Sequence, residues 1–127
     1  MPLVRISLRK SRPADFGRRV GEVVHRAMVE TIDVPANDRF QLITEHDQNG
    51  FVYDANYLGI ARSDALIIIQ ITLSEGRSVE LKKALYKTIA QNLKAQLDVR
   101  TEDVVINLVE VKKENWSFGN GLASYAL

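Results

Sequence analysis

The sequence predicts an α/β (α+β) fold in which two β-α-β units form one four-stranded mixed sheet with both helices on one face. Three observations support this prediction. The chain has 127 residues, the usual length of one domain, so we treat residues 1–127 as a single domain. Its hydrophobic residues follow a strand-like, then a helix-like, then a strand-like period, and this order occurs twice. The two halves, residues 1–64 and 65–127, also match at a constant offset without a gap.

The first unit opens with an alternating strand that begins at Pro2. Proline fits the first position of a strand because it has no N–H to donate to the ladder. The following helix carries one apolar stripe at helical spacing, and Pro35 ends it. In the next strand, Phe40 and Leu42 share one face. The predicted elements are strands at 3–8, 38–45 and, after a turn at 47–50, a short one at 51–53, with a helix at 14–32.

The second unit repeats this pattern. Its first strand is almost entirely β-branched or apolar, which is typical of a strand that is buried on both faces. Ser78 is the predicted N-cap of the next helix, since its hydroxyl can accept from a free backbone N–H. The predicted elements are a strand at 65–73, a helix from 78 to 97 and a strand at 103–111.

The match between the halves extends beyond hydrophobic residues. At an offset of 65, Asp33 falls on Asp98 and Arg12 on Arg77. The apolar helix positions also coincide, namely 16, 20, 24, 28 and 32 with 81, 85, 89, 93 and 97. Helix stripes, breaks and turn residues in one register favour a true repeat over chance hydrophobic similarity.

This topology places distant residues at one edge of the sheet. In a β-α-β unit the two strands run parallel, so both strands start at the same edge. We therefore expect Pro2 and Asp38 to lie near each other. If a pseudo-twofold axis relates the units, Arg77, just beyond the third strand, reaches the same edge. If Met1 is removed, Pro2 supplies a secondary amine there, beside a carboxylate and a guanidinium.

Composition excludes several classes of function. The net charge of +1 gives no electrostatic basis for binding nucleic acid or an anionic membrane. The chain has no cysteine, no signal-peptide pattern and no apolar run long enough to cross a bilayer, so we expect a cytoplasmic protein. The two histidines, His25 and His46, match no metal-ligand spacing. Without a Gly-rich phosphate loop either, we expect neither a metal nor a cofactor.

The whole chain resembles the tautomerase superfamily, whose members use an N-terminal proline as catalyst. The features that carry the resemblance are Met1-Pro2 before an alternating strand, the tandem β-α-β repeat, and EGRS at 75–78 entering the second helix. Three further segments resemble the malonate semialdehyde decarboxylase branch: DRFQ at 38–41, LGIARSD at 58–64 and NWSFG at 115–119. The resemblance implies a tautomerase-like fold, a homotrimer and a small carboxylate-bearing substrate.

The resemblance also implies roles for individual residues. Pro2 would be the catalytic amine, and Asp38 would orient water or influence the proline. Trp116 and Phe118 would form an apolar wall of the pocket, although both also suit a core or a subunit interface. Arg77 would take part in catalysis by binding the substrate carboxylate, since a guanidinium fits it in a bidentate manner. The decarboxylase has two arginines after its third strand, whereas the stretch 72–77 here holds only one.

Three functions follow from these residues. The first is keto–enol tautomerisation of a small 2-oxo acid or enol, with neutral Pro2 as the proton carrier. The second is malonate semialdehyde decarboxylase or hydratase chemistry, which needs protonated Pro2. The third is a non-catalytic trimeric binding or structural module. Outside the site, we expect His25 to be partly exposed and the basic residues Arg9, Lys10, Arg12, Arg18 and Arg19 to form a solvated face.

Overall fold

A computed structural model of the chain describes residues 2–10 and 13–125. Met1 and Arg12, which the sequence interpretation invoked, lie outside the described residues. The strands are β1 (Leu3–Arg9), β2 (Phe40–His46), β3 (Ile67–Ser74) and β4 (Val104–Val111), and the helices are α1 (Phe16–Ile32) and α2 (Val79–Leu97). The predicted order of these elements is confirmed. The short strand predicted at 51–53 is wrong, because these residues run as irregular chain.

The four strands form one mixed sheet in the order β2-β1-β3-β4. Strand β1 runs parallel to β2, with Leu3 opposite Phe40, and β3 runs parallel to β4. The two central strands are antiparallel, with Leu3 opposite Thr72. The start of β1 therefore lies between the start of β2 and the end of β3.

Both helices pack on one face of the sheet, as predicted. Their buried side chains join alternate residues of β1 and β3 in one apolar core, which includes Val20, Val24 and Met28 of α1, Leu85, Ile89 and Leu93 of α2, and Ile6, Ile69 and Ile71 of the sheet. Burial of this apolar surface is the main stabilising contribution of the fold.

The opposite face of the sheet, which we call the outer face, is only partly covered. Phe40 and Leu42 are each 49% exposed there, and their predicted position on one common face is confirmed by the strand register. Along β3, Ile69 and Ile71 are buried, whereas the alternate residues Ile68 and Gln70 are only half-buried. The prediction that this strand is buried on both faces is wrong for a single chain, because its outer residues Ile68, Gln70 and Thr72 are only half-buried.

Helix caps and turns recur at the same offset of 65 residues as the strands. Ser78 is the N-cap of α2, as predicted, and its hydroxyl accepts a hydrogen bond from the backbone N–H of Leu81 at 3.2 Å. Both helices end at an aspartate in the left-handed region, Asp33 with φ 58° and Asp98 with φ 56°. Short 3₁₀ turns at Gln48–Gly50 and Lys113–Asn115 also stand 65 positions apart. The repeat is thus a property of the backbone as well as of the sequence.

Two sequence expectations outside the site are wrong, for His25 and for Arg9, whereas Lys10, Arg18 and Arg19 are exposed as predicted. His25 is only 6% exposed, because its ring lies under the loop after α1 and shares a 2.9 Å hydrogen bond with the Ala36 carbonyl. The side chain of Arg9 is 18% exposed rather than solvated, since it forms a 2.7 Å ion pair with Asp64 and lies over two aromatic rings. Within 2–10 and 13–125, no helix is long and apolar enough to cross a membrane.

Candidate active site

The predicted edge of the sheet carries a pocket of about 450 Å³. Pro2 is buried at the start of β1 and is flanked, through the strand register, by the start of β2 and the end of β3. The residues that line the pocket are Asp33, Val34 and Pro35 after α1, Ser74, Glu75, Gly76 and Arg77 after β3, and Lys113 and Tyr125 near the end of the chain. The pocket is therefore built from the segment before β2, the turn after β3 and residues near the end of the chain, and Pro2 is not among its lining residues.

A second, smaller pocket of about 290 Å³ adjoins the first. Its lining residues are Pro35, Asn37, Asp38, Phe40, Phe118 and Tyr125. Pro35 and Tyr125 line both pockets, so the two spaces form one composite site. Arg77 lies in the larger part, and Asp38 and Phe118 lie in the smaller part.

Contacts with the end of α1 fix the position of Arg77. Its Nη1 donates to the carbonyl of Ser74 at 3.1 Å, and its Nη2 approaches the carbonyl of Ile32, the last residue of α1, at 3.5 Å. A cation is favourable at a helix C-terminus, where carbonyl groups lack partners. A guanidinium has five N–H donors, so these contacts leave donors for a carboxylate in the pocket.

The turn that carries Arg77 is tied to strand β4. The backbone N–H of Glu75 donates to the Val111 carbonyl at 2.9 Å. The carboxylate of Glu110 forms a 2.8 Å ion pair with Lys82, which holds the pKa of Glu110 below its usual value, and it also accepts from the Gly76 backbone. Gly76 has a φ of 120°, a conformation that side-chain-bearing residues rarely adopt. The turn therefore favours glycine at position 76.

An aromatic cluster closes one side of the site. The rings of Trp116 and Phe118 stack with centroids 5.1 Å apart, and Phe118 stacks on Phe40 at 5.9 Å. Tyr125 contacts the edge of Phe118 at 5.7 Å. The indole Nε1 of Trp116 donates to the hydroxyl of Ser74 at 3.1 Å. Trp116 thus contacts the end of β3 through Ser74, and Phe118 lines the smaller pocket.

Asp38 is half-buried at the entry to β2, and its Oδ2 atom is shielded from solvent. Tyr125 lies close enough to feel its charge. Burial first, and the negative charge of Asp38 second, raise the pKa of Tyr125 above its ordinary value of 10.0. Tyr125 is therefore neutral near pH 7, and its hydroxyl is a hydrogen-bond donor in the composite site.

Sequence reasoning missed most residues that line the site, among them Ser74, Lys113 and Tyr125. For Ser74 a signal existed, because a serine at the end of a buried strand and three positions before Arg77 is well placed to contact the same pocket. For Tyr125 the repeat gave no signal, since its counterpart 65 positions earlier is Ile60. Lys113 begins a surface turn and resembles an ordinary exposed lysine.

The counterpart of Asp38 in the second unit has a different environment. Asp103 is fully buried, and its carboxylate accepts from the backbone N–H and the hydroxyl of Ser63, each at 2.7 Å. At that edge of the sheet, Phe51 and Tyr53 occupy the positions that correspond to Trp116 and Phe118, and Arg9 lies over both rings. We call this arrangement the second corner. In the second corner the guanidinium of Arg9 is paired with Asp64, and the carboxylate of Asp103 is hydrogen-bonded to Ser63.

Comparison with known proteins identifies the family. A family described as "Tautomerase enzyme" matches residues 38–119, and a second family with the same description matches residues 2–61. The chain is 44% identical to the probable tautomerase YusQ of Bacillus subtilis (strain 168) over 97% of both chains.

Two solved structures share the fold over nearly the whole chain. FG41 malonate semialdehyde decarboxylase inhibited by 3-bromopropiolate superimposes with a TM-score of 0.90 at 36% identity, covering 97% of this chain and 93% of that one. A malonate semialdehyde decarboxylase studied for its decarboxylase and hydratase activities gives a TM-score of 0.90 at 32% identity, covering 97% and 95%. The predicted resemblance is confirmed: the chain belongs to the tautomerase superfamily, in a branch close to malonate semialdehyde decarboxylase, and is a tautomerase or a related decarboxylase.

Proposed function

We propose that the chain catalyses keto–enol tautomerisation of small 2-oxo acids or their enols, with Pro2 as the acid and base after removal of Met1. The observations that support this proposal are that the start of β1 lies between the start of β2 and the end of β3, and that Asp38 and Arg77, beside these two strand ends, line the composite pocket. The pocket offers a guanidinium for a carboxylate and an aromatic wall for the rest of a small substrate.

Proton transfer in this reaction uses one nitrogen twice. Neutral Pro2 removes a proton from one atom of the substrate, and the protonated amine then returns it to another, so no net proton is gained or lost. Arg77 holds the substrate carboxylate and stabilises negative charge that develops on the adjacent oxygen. The aromatic wall of Trp116 and Phe118 disfavours a charged amine, whereas the carboxylate of Asp38 favours one.

The proposal requires a free amine at Pro2. While Met1 is attached, the nitrogen of Pro2 is an amide and can neither accept nor donate a proton. Intact mass spectrometry of the protein is therefore the first measurement, and active protein that retains Met1 would refute the role of Pro2. One of the malonate semialdehyde decarboxylase structures includes a mutant with alanine in place of a proline at its first position, which supports attention to the N-terminal proline here.

The decarboxylase or hydratase reaction is the second candidate, and the two structural relatives favour it. In that reaction protonated Pro2 polarises a carbonyl while Asp38 assists water. The turn at 74–77 favours tautomerisation instead, because it carries Ser74 and Glu75 and a single arginine at 77. Among the described lining residues the cations are thus the guanidinium of Arg77 and the ammonium of Lys113.

Two parallel assays separate the candidates. Ketonisation of phenylenolpyruvate measures tautomerase activity, and release of carbon dioxide from malonate semialdehyde measures decarboxylase activity. Pro2→Ala should reduce the favoured activity by at least 100-fold, on the scale of a lost general acid–base. Pro13→Ala, in the loop before α1, is the matched control and should retain it. Absence of any Pro2-dependent turnover would favour the third hypothesis, a non-catalytic binding module.

We also propose that the outer face of the sheet joins copies of this chain in a homotrimer. The support is the apolar content of that face, where Phe40, Leu42 and Val109 are between 38% and 49% exposed. Covering such surface with a second copy is favourable. Sedimentation equilibrium of the wild type and of Leu42→Asp tests this proposal: the wild type should be trimeric, and the charged variant should dissociate.

A further inference from the structure

His25 is a buried imidazole that no step of the proposed reaction uses. It lies on α1, and its Nε2 atom shares a 2.9 Å hydrogen bond with the carbonyl of Ala36. A carbonyl is an acceptor only, so Nε2 carries the proton and the imidazole is the donor. Within residues 2–10 and 13–125, the other ring nitrogen, Nδ1, is shielded from solvent and has no hydrogen-bond partner. The contact with Ala36 is therefore the polar interaction that accounts for a histidine at this buried position.

Ala36 lies at the centre of a turn that leads into strand β2. The backbone N–H of Asp38 donates to the carbonyl of Pro35 at 3.0 Å, so residues 35–38 form a β-turn with Ala36 and Asn37 in the middle. Pro35, Asn37 and Asp38 all line the smaller part of the composite site. The carbonyl that His25 holds therefore belongs to the central peptide of a turn that forms part of the site wall.

The orientation of that central peptide decides how the turn presents its last two residues. Type I and type II turns share the same hydrogen bond but differ by a rotation of the central peptide through about half a turn. Type II needs a positive φ at the third residue, which asparagine tolerates. Among the described residues Asn37 is not one of those with positive φ, so this turn belongs to the type I class. Asn37 suits either class, and the hydrogen bond from His25 holds the peptide in one of them.

The second unit builds the same turn without an imidazole. The backbone N–H of Asp103 donates to the carbonyl of Arg100 at 2.9 Å, which is the equivalent bond 65 positions later. The position equivalent to His25 is Ala90. Asp103 is held there through its carboxylate, by Ser63. A turn of this kind therefore forms without a histidine, and the imidazole is found at the turn whose aspartate lines the composite site.

We propose that His25 is a positioning residue for the reaction, which fixes the central peptide of the turn at 35–38 and thereby holds Asp38 in the composite site. This inference rests on the proposed function, in which Asp38 acts on Pro2. Without the hydrogen bond to Ala36 the central peptide is free to rotate, and the carboxylate of Asp38 moves relative to the start of β1. His25 lies outside both parts of the composite site, so its loss should affect turnover and not substrate binding.

The test compares two substitutions of His25 in the full chain. His25→Phe keeps a ring but has no donor, whereas His25→Gln can place an amide N–H near the position of Nε2. His25→Phe should lower the kcat for phenylenolpyruvate at least about 10-fold, as expected for Asp38→Asn, and leave KM within about threefold. His25→Gln should restore kcat to within about threefold of the wild type. Equal losses of kcat in both variants, or a loss that appears only in KM, would overturn the proposal.

Val24→Ala is the matched control, since Val24 is the neighbouring residue on α1 and is 0% exposed. It should lower stability through lost packing but leave kcat per folded molecule within about threefold of the wild type. A loss of kcat as large as that of His25→Phe would mean that any damage to this part of α1 lowers turnover, and it would overturn the specific role of His25.

A double-mutant cycle with Asp38→Asn separates positioning from a general structural role. If His25 acts through Asp38, its removal should add little once the carboxylate is gone. The variant with both His25→Phe and Asp38→Asn should then match Asp38→Asn alone within about twofold in kcat. A double variant whose loss is the product of the two single losses would show independent effects and would overturn the proposal.

Nuclear magnetic resonance gives a readout that does not depend on turnover. The backbone amide signals of Asn37 and Asp38 should shift in His25→Phe and return towards their wild-type positions in His25→Gln, whereas the signal of Asp103 in the equivalent turn should stay unchanged. Unshifted signals of Asn37 and Asp38 in His25→Phe would overturn the proposal. If His25→Phe does not fold, His25→Asn, whose amide is too short to reach Ala36, takes its place with the same expected results.

The two readouts together distinguish this inference from the proposed function. Shifted amide signals that return in His25→Gln support the role of His25 in the turn even if the wild type shows no Pro2-dependent turnover, a result that refutes the proposed function alone. Pro2-dependent turnover in the wild type that is unchanged in His25→Phe refutes this inference and leaves the proposed function intact.

Discussion

Replacing Asp38 and Asp103 with asparagine should affect different properties of the protein, although the two aspartates stand at equivalent positions of the two units. Asp103 is fully buried and binds Ser63 through both carboxylate oxygens at 2.7 Å. Asp38 is half-buried and lines the composite site. We expect Asp103→Asn to lower stability and Asp38→Asn to lower activity.

The magnitude for Asp103→Asn follows from its hydrogen bonds. An asparagine has one acceptor oxygen, so it can accept from only one of the two Ser63 donors, and its NH₂ group meets the other. A hydrogen bond to a charged group is worth about 1.5–3 kcal/mol, and the weaker contact with Arg100 at 3.4 Å is lost as an ion pair. We therefore expect the free energy of unfolding to fall by about 2–4 kcal/mol.

Urea unfolding at one fixed protein concentration measures this change, and phenylenolpyruvate ketonisation per folded molecule measures activity. Asp103→Asn should retain turnover within about threefold of the wild type, since it lies outside the site, whereas Asp38→Asn should lose at least 10-fold, in the range of a lost charged catalytic partner. The reasoning fails if Asp103→Asn unfolds within 0.5 kcal/mol of the wild type, about the noise expected of a surface substitution. Equal loss of activity in both variants would also contradict it.

Three further predictions concern the core and titrating groups. Ile89→Ala removes a side chain with 0% exposure, so the free energy of unfolding should fall by about 2–5 kcal/mol in urea. The lowered pKa of Glu110 means that its pair with Lys82 stabilises the fold above the ordinary value of 4.5 and loses this effect as the pH falls through the lowered pKa. Urea midpoints of Glu110→Gln and wild type should therefore differ at pH 7 and converge in acid. Asp38→Asn should lower the raised pKa of Tyr125. Ultraviolet titration, with Tyr125→Phe as the reference, measures this pKa. An unchanged pKa would mean that the charge of Asp38 does not reach Tyr125.

The order and type of the elements were predictable because each depends on local pattern. The apolar stripe of α1 and the continuous apolar run of β3 each indicate one structure over many residues. The ungapped repeat then gave a second, independent prediction of each element from its counterpart in the other half. The aspartates Asp33 and Asp98 marked the helix ends correctly, since both adopt the left-handed cap conformation. The edge of the sheet that holds the candidate site followed from the topology and, for Arg77, from an assumed pseudo-twofold axis.

Side-chain environments were less predictable because they depend on partners far away in the chain. Arg9 looked like part of a solvated basic face, but Asp64, 55 positions later, neutralises it. His25 is covered by a loop that the helical stripe does not reveal. Tyr125 enters the site from the end of the chain, and no periodicity predicts where an irregular segment folds back. Long-range contacts of this kind are set by the tertiary structure and not by local pattern.

The second corner has a consequence for how such a fold can be redesigned. An α-amine exists only once in a chain, so two equivalent corners cannot both use one. The corner at the start of β3, where Ile67 takes the position of Pro2, is free to hold the Arg9–Asp64 pair instead. A circular permutant that begins at position 67, with proline in place of isoleucine, would move the amine to that corner. Replacing Arg9 and Asp64 would then reopen it, and the same scaffold would present its chemistry at the opposite edge of the sheet.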